Sequence, residues 1–312
     1  MSDNAPTVTV GLPVYNGGQH VAQCLDSWLA QEFEDFEVIV SDNASEDGTE
    51  AICREYASED PRIRYHRNAS NLGAAANSNR VFGLASGKYF KLSGHDDWFS
   101  PKLLSHCVEV LENRPDVVLC YWLETIVDSR DDVLRAYDES QRFAVDSPRA
   151  SERFHEWLWS FVSGARGDPI YGMIRTEVTR TVRPLYPGFQ SNFVYLAELS
   201  LQGPWHTVPE HLAFRRANTA RVTVPAMMTW LEPQNSRRVR FPHWRRWCEY
   251  LRVLLTSQQL TAREKAYLSL NTSYYFVSRD LKGLAWDLPY AARQLIALQK
   301  ERRARPANAP SA

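Results

Sequence analysis

The 312-residue sequence lacks three features that would place it in common classes of protein. Its formal net charge is −1, so it has no basic excess of the kind that nucleic-acid-binding domains usually carry. Its five cysteines form no Cys-x-x-Cys pair, which argues against structural zinc and favours a reducing compartment. No apolar run is long enough to span a bilayer, and the start, MSDNAPTVTV, has no secretion-signal pattern. These absences predict a cytoplasmic protein that binds no nucleic acid.

The standard glycine-rich phosphate cradles are also missing. No G-x-G-x-x-G follows any predicted strand. The segment 83–89 is similar to a P-loop, but it is one residue short between its glycines and has Tyr89 where Ser or Thr should follow the lysine. If this chain binds a nucleoside diphosphate, a metal ion on acidic side chains must help to neutralise it.

The first half of the chain alternates strand-like and helix-like patterns, which predicts a mostly parallel sheet covered by helices on both faces. Residues 125–150 are charged and follow neither period, so we expect them to be disordered or to form a lid over a site. The predicted strands are 8–12, 37–40, 63–66, 89–92 and 117–122.

Acidic side chains follow two of these strands at their carboxyl ends, where ligands bind in open α/β sheets. Asp42 ends the second strand too early to cap the next helix, so we expect it to face a ligand. His95, Asp96 and Asp97 follow the fourth strand after a Ser-Gly turn. Adjacent carboxylates repel unless a cation lies between them, so the pair favours a divalent metal. The alternative is a solvated acidic turn that caps the helix near Pro101.

Five short motifs, in order and spacing, resemble the family 2 glycosyltransferases, which have the GT-A fold. The resemblance covers about residues 7–218 and is clearest in the first half. It implies an α/β domain with a Rossmann-like, mostly parallel sheet and a nucleoside diphosphate sugar as donor. The motifs are Pro13-x-Tyr15-Asn16, Ser41-Asp42-Asn43-Ala44-Ser45-x-Asp47-Gly48-Thr49, Asn71-x-Gly73, Ala85-x-Gly87-Lys88-Tyr89 and His95-Asp96-Asp97.

By this resemblance Asp42 bonds the base of the donor, while Asp96 and Asp97 hold Mg²⁺ or Mn²⁺ on its diphosphate. The usual D-x-D motif lacks one carboxylate here in either register. Because imidazole can ligate Mn²⁺, His95 is counted as a third metal ligand, and packing against Trp98 is its alternative role. The residues expected to bind the nucleotide sugar are Pro13, Val14, Tyr15, Asn16, Asp42, Asn71, Gly73, Asn79, His95 and Asp96.

The acceptor side departs from the family at the catalytic base. In relatives an Asp in a segment like 188–199 deprotonates the acceptor hydroxyl, and the matching position here is Asn192. An amide cannot accept that proton. Asp168 and Glu198 are the nearest alternative carboxylates in the sequence, although the helix pattern turns Glu198 elsewhere. The family's R-x-H motif ends in Asn218 instead of histidine.

We divide the chain into a GT-A domain, residues 1–220, and a helical C-terminal extension with a basic tail, residues 221–312. Within the domain, residues 1–123 form the donor half and 124–220 the acceptor half. In the extension, Trp244 and Trp247 lie near three arginines, which suits an anionic membrane surface, a homodimer or a packed subdomain. Trp159 suits either sugar stacking or the core.

The predicted activity is inverting sugar transfer to a glycan or lipid-linked glycan acceptor, as in cell-surface polysaccharide synthesis, with peripheral contact at the inner face of the membrane. One rival is a non-catalytic protein that binds sugar nucleotides or glycans with the same fold. A second rival is a nucleotidyltransferase, which expects a glycine-rich loop with Arg and Lys near the first strand. The segment 11–16 carries neither basic residue, so this rival ranks last.

Overall fold

The computed structural model describes residues 5–217 and 241–304. Within them nine strands form one sheet, flanked by ten α-helices. The strands are β1 (Val8–Val14), β2 (Phe36–Asp42), β3 (Ile63–Arg67), β4 (Tyr89–Leu92), β5 (Trp98–Phe99), β6 (Leu119–Val127), β7 (Val133–Ala136), β8 (Met173–Arg175) and β9 (Trp205–Arg216). The helices are α1 (Val21–Leu29), α2 (Thr49–Glu59), α3 (Ala74–Leu84), α4 (Leu103–Asn113), α5 (Ala150–Trp159), α6 (Thr176–Thr179), α7 (Ser191–Ser200), α8 (Pro242–Thr256), α9 (Ala262–Arg279) and α10 (Leu281–Ala304).

The sheet has the order β3-β2-β1-β4-β8-β6-β9-β5, with β7 paired on β6. β1 pairs in parallel with both β2 and β4, and β2 pairs in parallel with β3. The chain therefore runs outward from β1 to β3 and then returns to the other side of β1. This reversal opens a crevice beyond the carboxyl ends of β1 and β4, where open α/β sheets bind ligands.

Apolar spacing explains the packing of the first half. α1 buries Val21, Cys24, Leu25 and Trp28, which recur at helical spacing and pack against β1. β1 and β2 are buried along almost their whole length, as expected for parallel strands covered on both faces. The predicted mixed α/β class is confirmed.

The second half of the sheet is mixed. β8 pairs antiparallel with both β4 and β6, whereas β6 and β9 are parallel. Residues 125–150 are neither a lid nor wholly irregular, because β6 continues to Val127 and forms an antiparallel hairpin with β7. Phe143 and Val145 are then buried in the core. The prediction for this segment was wrong because pairing with β9 and β7, not local propensity, makes it a strand.

The C-terminal extension packs on the acceptor half. Tyr250 and Leu254 of α8 and Phe276 of α9 share a core cluster with α5 and α7. The Trp247 ring stacks on Phe276 and lies against the Trp244 ring at a tilt, while Trp244 remains 38% exposed, so this face is only partly packed.

Trp159 also belongs to this packed region. Its Nε1 donates to Asn271 Oδ1 at 2.9 Å, and its ring meets Tyr275 edge-on. It therefore joins α5 to α9 and does not lie at the cavity described below. All five cysteines are free thiols. Among the described helices, none combines the length and apolarity needed to cross a bilayer.

Candidate active site

A cavity of about 490 Å³ lies in the crevice at the carboxyl ends of β1 and β4 and is closed on its far side by β9 and by the loop before β8. It joins the strand-end loops of the donor half to side chains of the acceptor half. Its lining residues are Pro13, Val14, Tyr15, Asn43, Asn71, Ala74, Asn77, Ser78, Leu92, Ser93, Gly94, His95, Asp96, Asp97, Ile126, Asp168, Tyr171, Arg215, Arg216 and Ala217.

The loop after β1 presents Pro13, Val14 and Tyr15, three of the residues predicted to bind the nucleotide sugar, to the cavity. Asn16 does not line it. The Asn16 backbone is left-handed, with φ 51°, its N–H donates to Ser45 Oγ, and its Oδ1 accepts from the Glu46 N–H. Asn16 therefore joins the β1 and β2 loops and holds Tyr15 in place.

Asp42 does not reach the cavity, contrary to the prediction. Its side chain is fully buried and accepts hydrogen bonds from Tyr65 OH and Arg67, both at 2.6 Å, and from the Ser45 N–H. Burial acts to raise the pKa of Asp42, but the bonds from Ser45, Tyr65 and Arg67 outweigh it and hold that pKa below its usual value. This carboxylate is a structural anion that ties β2 to β3.

The next residue, Asn43, lines the cavity in its place. Its Nδ2 donates to Asn71 Oδ1 at 2.8 Å, and its Oδ1 accepts from Asn68 and from the Leu72 N–H. Asn77, which also lines the cavity, continues this network through Ser41 and Asn68. Sequence reasoning missed both amides. The alternation of side chains along β2, continued one residue past Asp42, was the available signal for Asn43, whereas Asn77 lies on α3 and had no such signal.

Of the other predicted donor residues, Asn71 lies at the cavity, while Gly73 and Asn79 do not. Gly73 precedes α3 with φ 86° and donates its N–H to Asn71 Oδ1. Asn79 exchanges two hydrogen bonds with the backbone of Leu185, at 2.7 and 2.9 Å. Both residues therefore support the cavity wall without lining the cavity.

The acidic turn after β4 lies on the cavity floor. Asp97 is 6% exposed and accepts a hydrogen bond from the Arg216 N–H at 3.1 Å. Burial, reinforced by the charge of Asp96, raises the pKa of Asp97 to about 7. A Cβ on Gly94 would lie 2.5 Å from Asp97 Oδ2, so an aspartate at 94 would displace Asp97.

The three predicted metal ligands do not come together as a set. Over residues 5–217 and 241–304, no three His, Cys, Asp or Glu side chains are placed so that they could hold a metal ion. Burial lowers the pKa of His95, which leaves its imidazole neutral at pH 7. All three side chains nevertheless line the cavity. Two carboxylates suit Mg²⁺ or Mn²⁺ when substrate phosphates and water complete the shell.

Two arginines at the end of β9 supply positive charge to the same cavity. Arg215 pairs with buried Glu124 at 3.2 Å. Arg216 is fixed by Asp131 at 2.5 Å and by Gln23 at 2.9 Å. Both arginines precede Asn218, the last position of the R-x-H motif named above. Asn218 itself lies outside the described residues.

Asp168, not Asn192, presents its side chain to the cavity. Asn192 Nδ2 donates to Asp168 Oδ2 at 3.2 Å, so the residue at the family's base position holds a carboxylate that lines the site. Gly167, with φ 110°, has no room for a Cβ because one would lie 2.3 Å from Tyr121 OH, and that hydroxyl accepts the Asp168 N–H.

The electrostatic setting of Asp168 suits a base. Burial raises the pKa of Asp168 to about 6, although the charge of Arg215 opposes the increase. Glu198, the other candidate, pairs with Arg183 at 2.9 Å and does not line the cavity. Arg183 also contacts Glu249, so this cluster joins α7 to α8. Of the three catalytic candidates, the structure brings Asp168 to the cavity with Asn192 behind it and leaves Glu198 outside.

The fold and cavity define a nucleotide-binding α/β domain, and residues 9–165 match the family model for glycosyl transferase family 2. This match covers just over half of the chain. The protein belongs to glycosyl transferase family 2, as the sequence motifs predicted.

Two known glycosyltransferases are similar to this chain in sequence over part of their length. An uncharacterised glycosyltransferase of Rickettsia typhi is 29% identical over 147 residues, which is 46% of this chain and 44% of that protein. Glycosyltransferase GlyG of Streptococcus pneumoniae is 26% identical over 178 residues, 56% of this chain and 58% of that protein. The chain thus spans about half the length of these relatives.

Solved structures confirm the GT-A fold. S. aureus TarS in complex with UDP-GlcNAc aligns with a TM-score of 0.65 at 14% identity, over 88% of this chain and 73% of that chain. The mannosyltransferase PcManGT from Pyrobaculum calidifontis, in complex with GDP-Man and Mn²⁺, aligns with a TM-score of 0.55 at 16% identity, over 96% and 76%.

Proposed function

We propose that the protein is an inverting glycosyltransferase that moves a sugar from a nucleoside diphosphate to an acceptor hydroxyl, with Asp168 as the base. One observation carries this proposal. Asp168 lies in the same cavity as the donor loops and accepts a hydrogen bond from Asn192, the residue at the family's base position.

One wall of the cavity binds the nucleoside of the donor, and the other binds its diphosphate. Tyr15 and Asn43 lie on the wall built by β1 and β2, where a ring and an amide suit a nucleoside. Arg215 and Arg216 lie on the wall built by β9, where their charges suit a diphosphate. The structural neighbours hold UDP-GlcNAc and GDP-Man, which supports a donor of this class.

Asp168 takes the proton of the acceptor hydroxyl, whose oxygen attacks the anomeric carbon from the face opposite the diphosphate. The new carbon–oxygen bond forms as the bond from that carbon to the diphosphate oxygen breaks, so the configuration inverts. Arg215 offsets charge on the leaving diphosphate. A base with a pKa near 6 is largely deprotonated at neutral pH, as this step requires.

Asp96 and Asp97 would hold a divalent cation together with the donor phosphates. When bound, such a cation supplies additional positive charge on the diphosphate. Asp97 is fixed by the Arg216 N–H, so Asp96 is the more available of the two carboxylates.

The acceptor is proposed to be a glycan or lipid-linked glycan of cell-surface polysaccharide synthesis, reached from the cytoplasm. Free thiols at all five cysteines support a reducing compartment. The acceptor wall has buried charges and an aromatic ring, Tyr171, which suits a polar sugar ring.

Transfer should be measured with a panel of UDP- and GDP-sugars and several glycan acceptors, with the anomeric configuration of the product read by NMR. An inverted product that depends on Asp168 supports the proposal. A protein that binds a donor but neither transfers nor hydrolyses it supports the binding-protein alternative, which the amide at Asn192 favours.

A further inference from the structure

The last helix, α10, exposes large apolar side chains along one side. Leu281, Leu288 and Leu295 are 59%, 60% and 49% exposed. They are seven residues apart, so they lie in one line along the helix. We call these three residues the leucine line. Single exposed apolar residues need no explanation, but contiguous groups mark interaction surfaces.

The leucine line borders the side of α10 that packs on the rest of the chain. Leu284 and Ala291 are 3% and 2% exposed. A helix turns about 100° per residue, which places these buried side chains about 50° from the leucine line. The leucine line is therefore the first part of the helix surface that the contacts within the chain leave uncovered.

Three basic side chains form a second line on the same helix. Lys282, Arg293 and Lys300 are exposed, and their spacings of eleven and seven residues keep them on one side of α10. They lie about 130° from the leucine line, away from the buried side. We call these three residues the basic line. The surface between the two lines is exposed and uncharged, with Ala285, Pro289, Ala292 and Ile296.

No acidic side chain offsets the basic line among the described side chains of α10. Asp287 is fully buried and accepts the N–H groups of His243 and Trp244 at 2.9 and 3.0 Å. Residues 241–304 contain eleven Lys and Arg against five Asp and Glu, a net charge of +6, whereas the whole chain has −1. The positive charge of this protein is thus concentrated in the extension that carries the exposed leucines.

This combination suits the headgroup layer of an anionic bilayer. A helix that lies in that layer has an apolar side bordered by Lys and Arg. Long basic side chains can keep their charges at the lipid phosphates while their stems cover apolar surface. A second copy of this chain would instead bring further positive charge to the same surface.

We propose that α10 docks the protein on an anionic bilayer, with the leucine line and Ile296 at the acyl boundary and the basic line at the phosphates. This surface is separate from Trp244 and Trp247 of α8, where the sequence suggested a membrane contact. The proposal does not depend on sugar transfer, because the residues that line the cavity belong to 13–217.

The full chain should be sedimented with vesicles of phosphatidylglycerol and, separately, with vesicles of phosphatidylcholine. The wild type should pellet only with phosphatidylglycerol, and less as salt rises, because salt screens the attraction. Each basic side chain near the surface contributes about fivefold to the partition coefficient. The combined variant Lys282→Ser, Arg293→Ser and Lys300→Ser should therefore lose about 100-fold.

A second variant, Leu288→Ser with Leu295→Ser, keeps every charge and should lower the partition coefficient at least about tenfold, because less apolar area is buried. Two controls alter the GT-A domain and should stay within about twofold of the wild type. One removes an exposed leucine of β7, and the other removes three exposed positive charges. The controls are Leu134→Ser and the combined variant Lys102→Ser, Arg130→Ser and Arg135→Ser.

Circular dichroism checks that every variant folds. Loss of vesicle binding in both α10 variants, with binding kept in both controls, supports the proposal. A wild type that does not pellet with phosphatidylglycerol at low salt would overturn it. So would an equal loss in the control that removes three charges, which would show attraction by net charge alone. Binding that survives loss of the two leucines would overturn docking by the apolar side of α10.

Discussion

The two walls of the cavity differ in the chemistry of their side chains. The wall formed by the loops after β2 and β3 and by α3 carries neutral amides, Asn43, Asn71 and Asn77, which are linked by hydrogen bonds, partly through Asn68. The wall built on β9 and the loop before β8 carries charged groups, Asp168 and Arg215, with Glu124 behind them. The same cavity therefore has a neutral side and an ionic side.

This difference separates recognition from chemistry. Neutral amides offer donors and acceptors in fixed positions at low desolvation cost, which suits a nucleoside base. Charged groups in a partly buried setting interact strongly with developing charge, which suits the place where a diphosphate leaves. Substitutions on the ionic wall should change the rate, whereas substitutions on the neutral wall should change donor affinity.

The largest expected effect is loss of the base. Asp168→Asn should lower kcat about 100- to 10,000-fold while leaving the donor Kd near its wild-type value, because a positioned base contributes that much. The measurement is transfer at saturating donor together with calorimetric donor binding. Glu198→Gln, which alters a carboxylate outside the cavity, is the matched control and should keep most of the activity.

The stability of Asp168→Asn gives an independent check. The folded-state pKa of about 6 lies above the ordinary value near 4, so the stability linked to protonated Asp168 is present below pH 4 and is lost as pH rises through about 6. The variant should therefore gain stability over wild type above pH 6. A variant that keeps full activity would contradict the assignment of the base.

A second carboxylate beside Asp168 should move the pH profile. In wild type, activity should fall as pH drops through about 6, because Asp168 becomes protonated. Asn192→Asp places two carboxylates in contact, and their repulsion should raise the apparent pKa of the pair by about one unit or more. For a shift of one unit the variant should be about fivefold slower than wild type at pH 6, and about tenfold slower well below that pH.

The profile of kcat/KM against pH tests this shift. A variant that is faster than wild type at neutral pH, with an unchanged acid limb, would show that the family's base position works directly. In that case Asp168 would be a positioning residue, and its own substitution should then affect Asn192→Asp only weakly.

The neutral wall should show a smaller effect, on affinity alone. Asn43→Ala should raise the donor Kd about tenfold, the equivalent of about one hydrogen bond. Asp42→Asn should leave donor affinity unchanged but lower the free energy of unfolding by about 2 kcal/mol, because it weakens charged hydrogen bonds from Tyr65 and Arg67. Calorimetry and urea unfolding measure the two quantities. If Asp42→Asn is as stable as the wild type but binds the donor weakly, Asp42 contacts the base of the donor after all.

The metal effect is expected to be the smallest. Asp96→Ala should lose the gain in donor affinity that Mn²⁺ gives the wild type, whereas His95→Ala should keep it, since His95 does not complete a ligand set. Calorimetric titration with UDP-sugar, with and without Mn²⁺, separates them. An equal Mn²⁺ response in wild type and Asp96→Ala would remove Asp96 from the metal site.

Much of the neutral wall could be predicted from sequence because it follows directly from strand ends. β4 begins and ends where the pattern placed it, at Tyr89 and Leu92, and Tyr15 and Asn71 line the cavity. The error at Asp42 is one residue in size. Successive side chains of a strand point to opposite faces, so shifting the assignment from Asp42 to Asn43 exchanges a buried anion for a cavity amide.

The ionic wall could not be assembled from sequence. Asp168 and Asn192 are 24 residues apart, and Arg215 and Glu124 are 91 apart. No local pattern links residues at such separations, and along the chain Glu198 lies closer to Asn192 than Asp168 does. The hydrogen bond from Asn192 and the ion pair of Glu198 with Arg183 distinguish them.

The sequence by itself determined the family, the parallel half of the sheet and the edge at which the cavity lies, because these depend on short-range periodicity and on motifs within single loops. The tertiary structure decided which carboxylate faces the acceptor, which aspartate is structural and which apolar residues of the extension remain exposed. Those outcomes depend on burial and on charge–charge contacts between distant segments, and these exist only after the chain has folded.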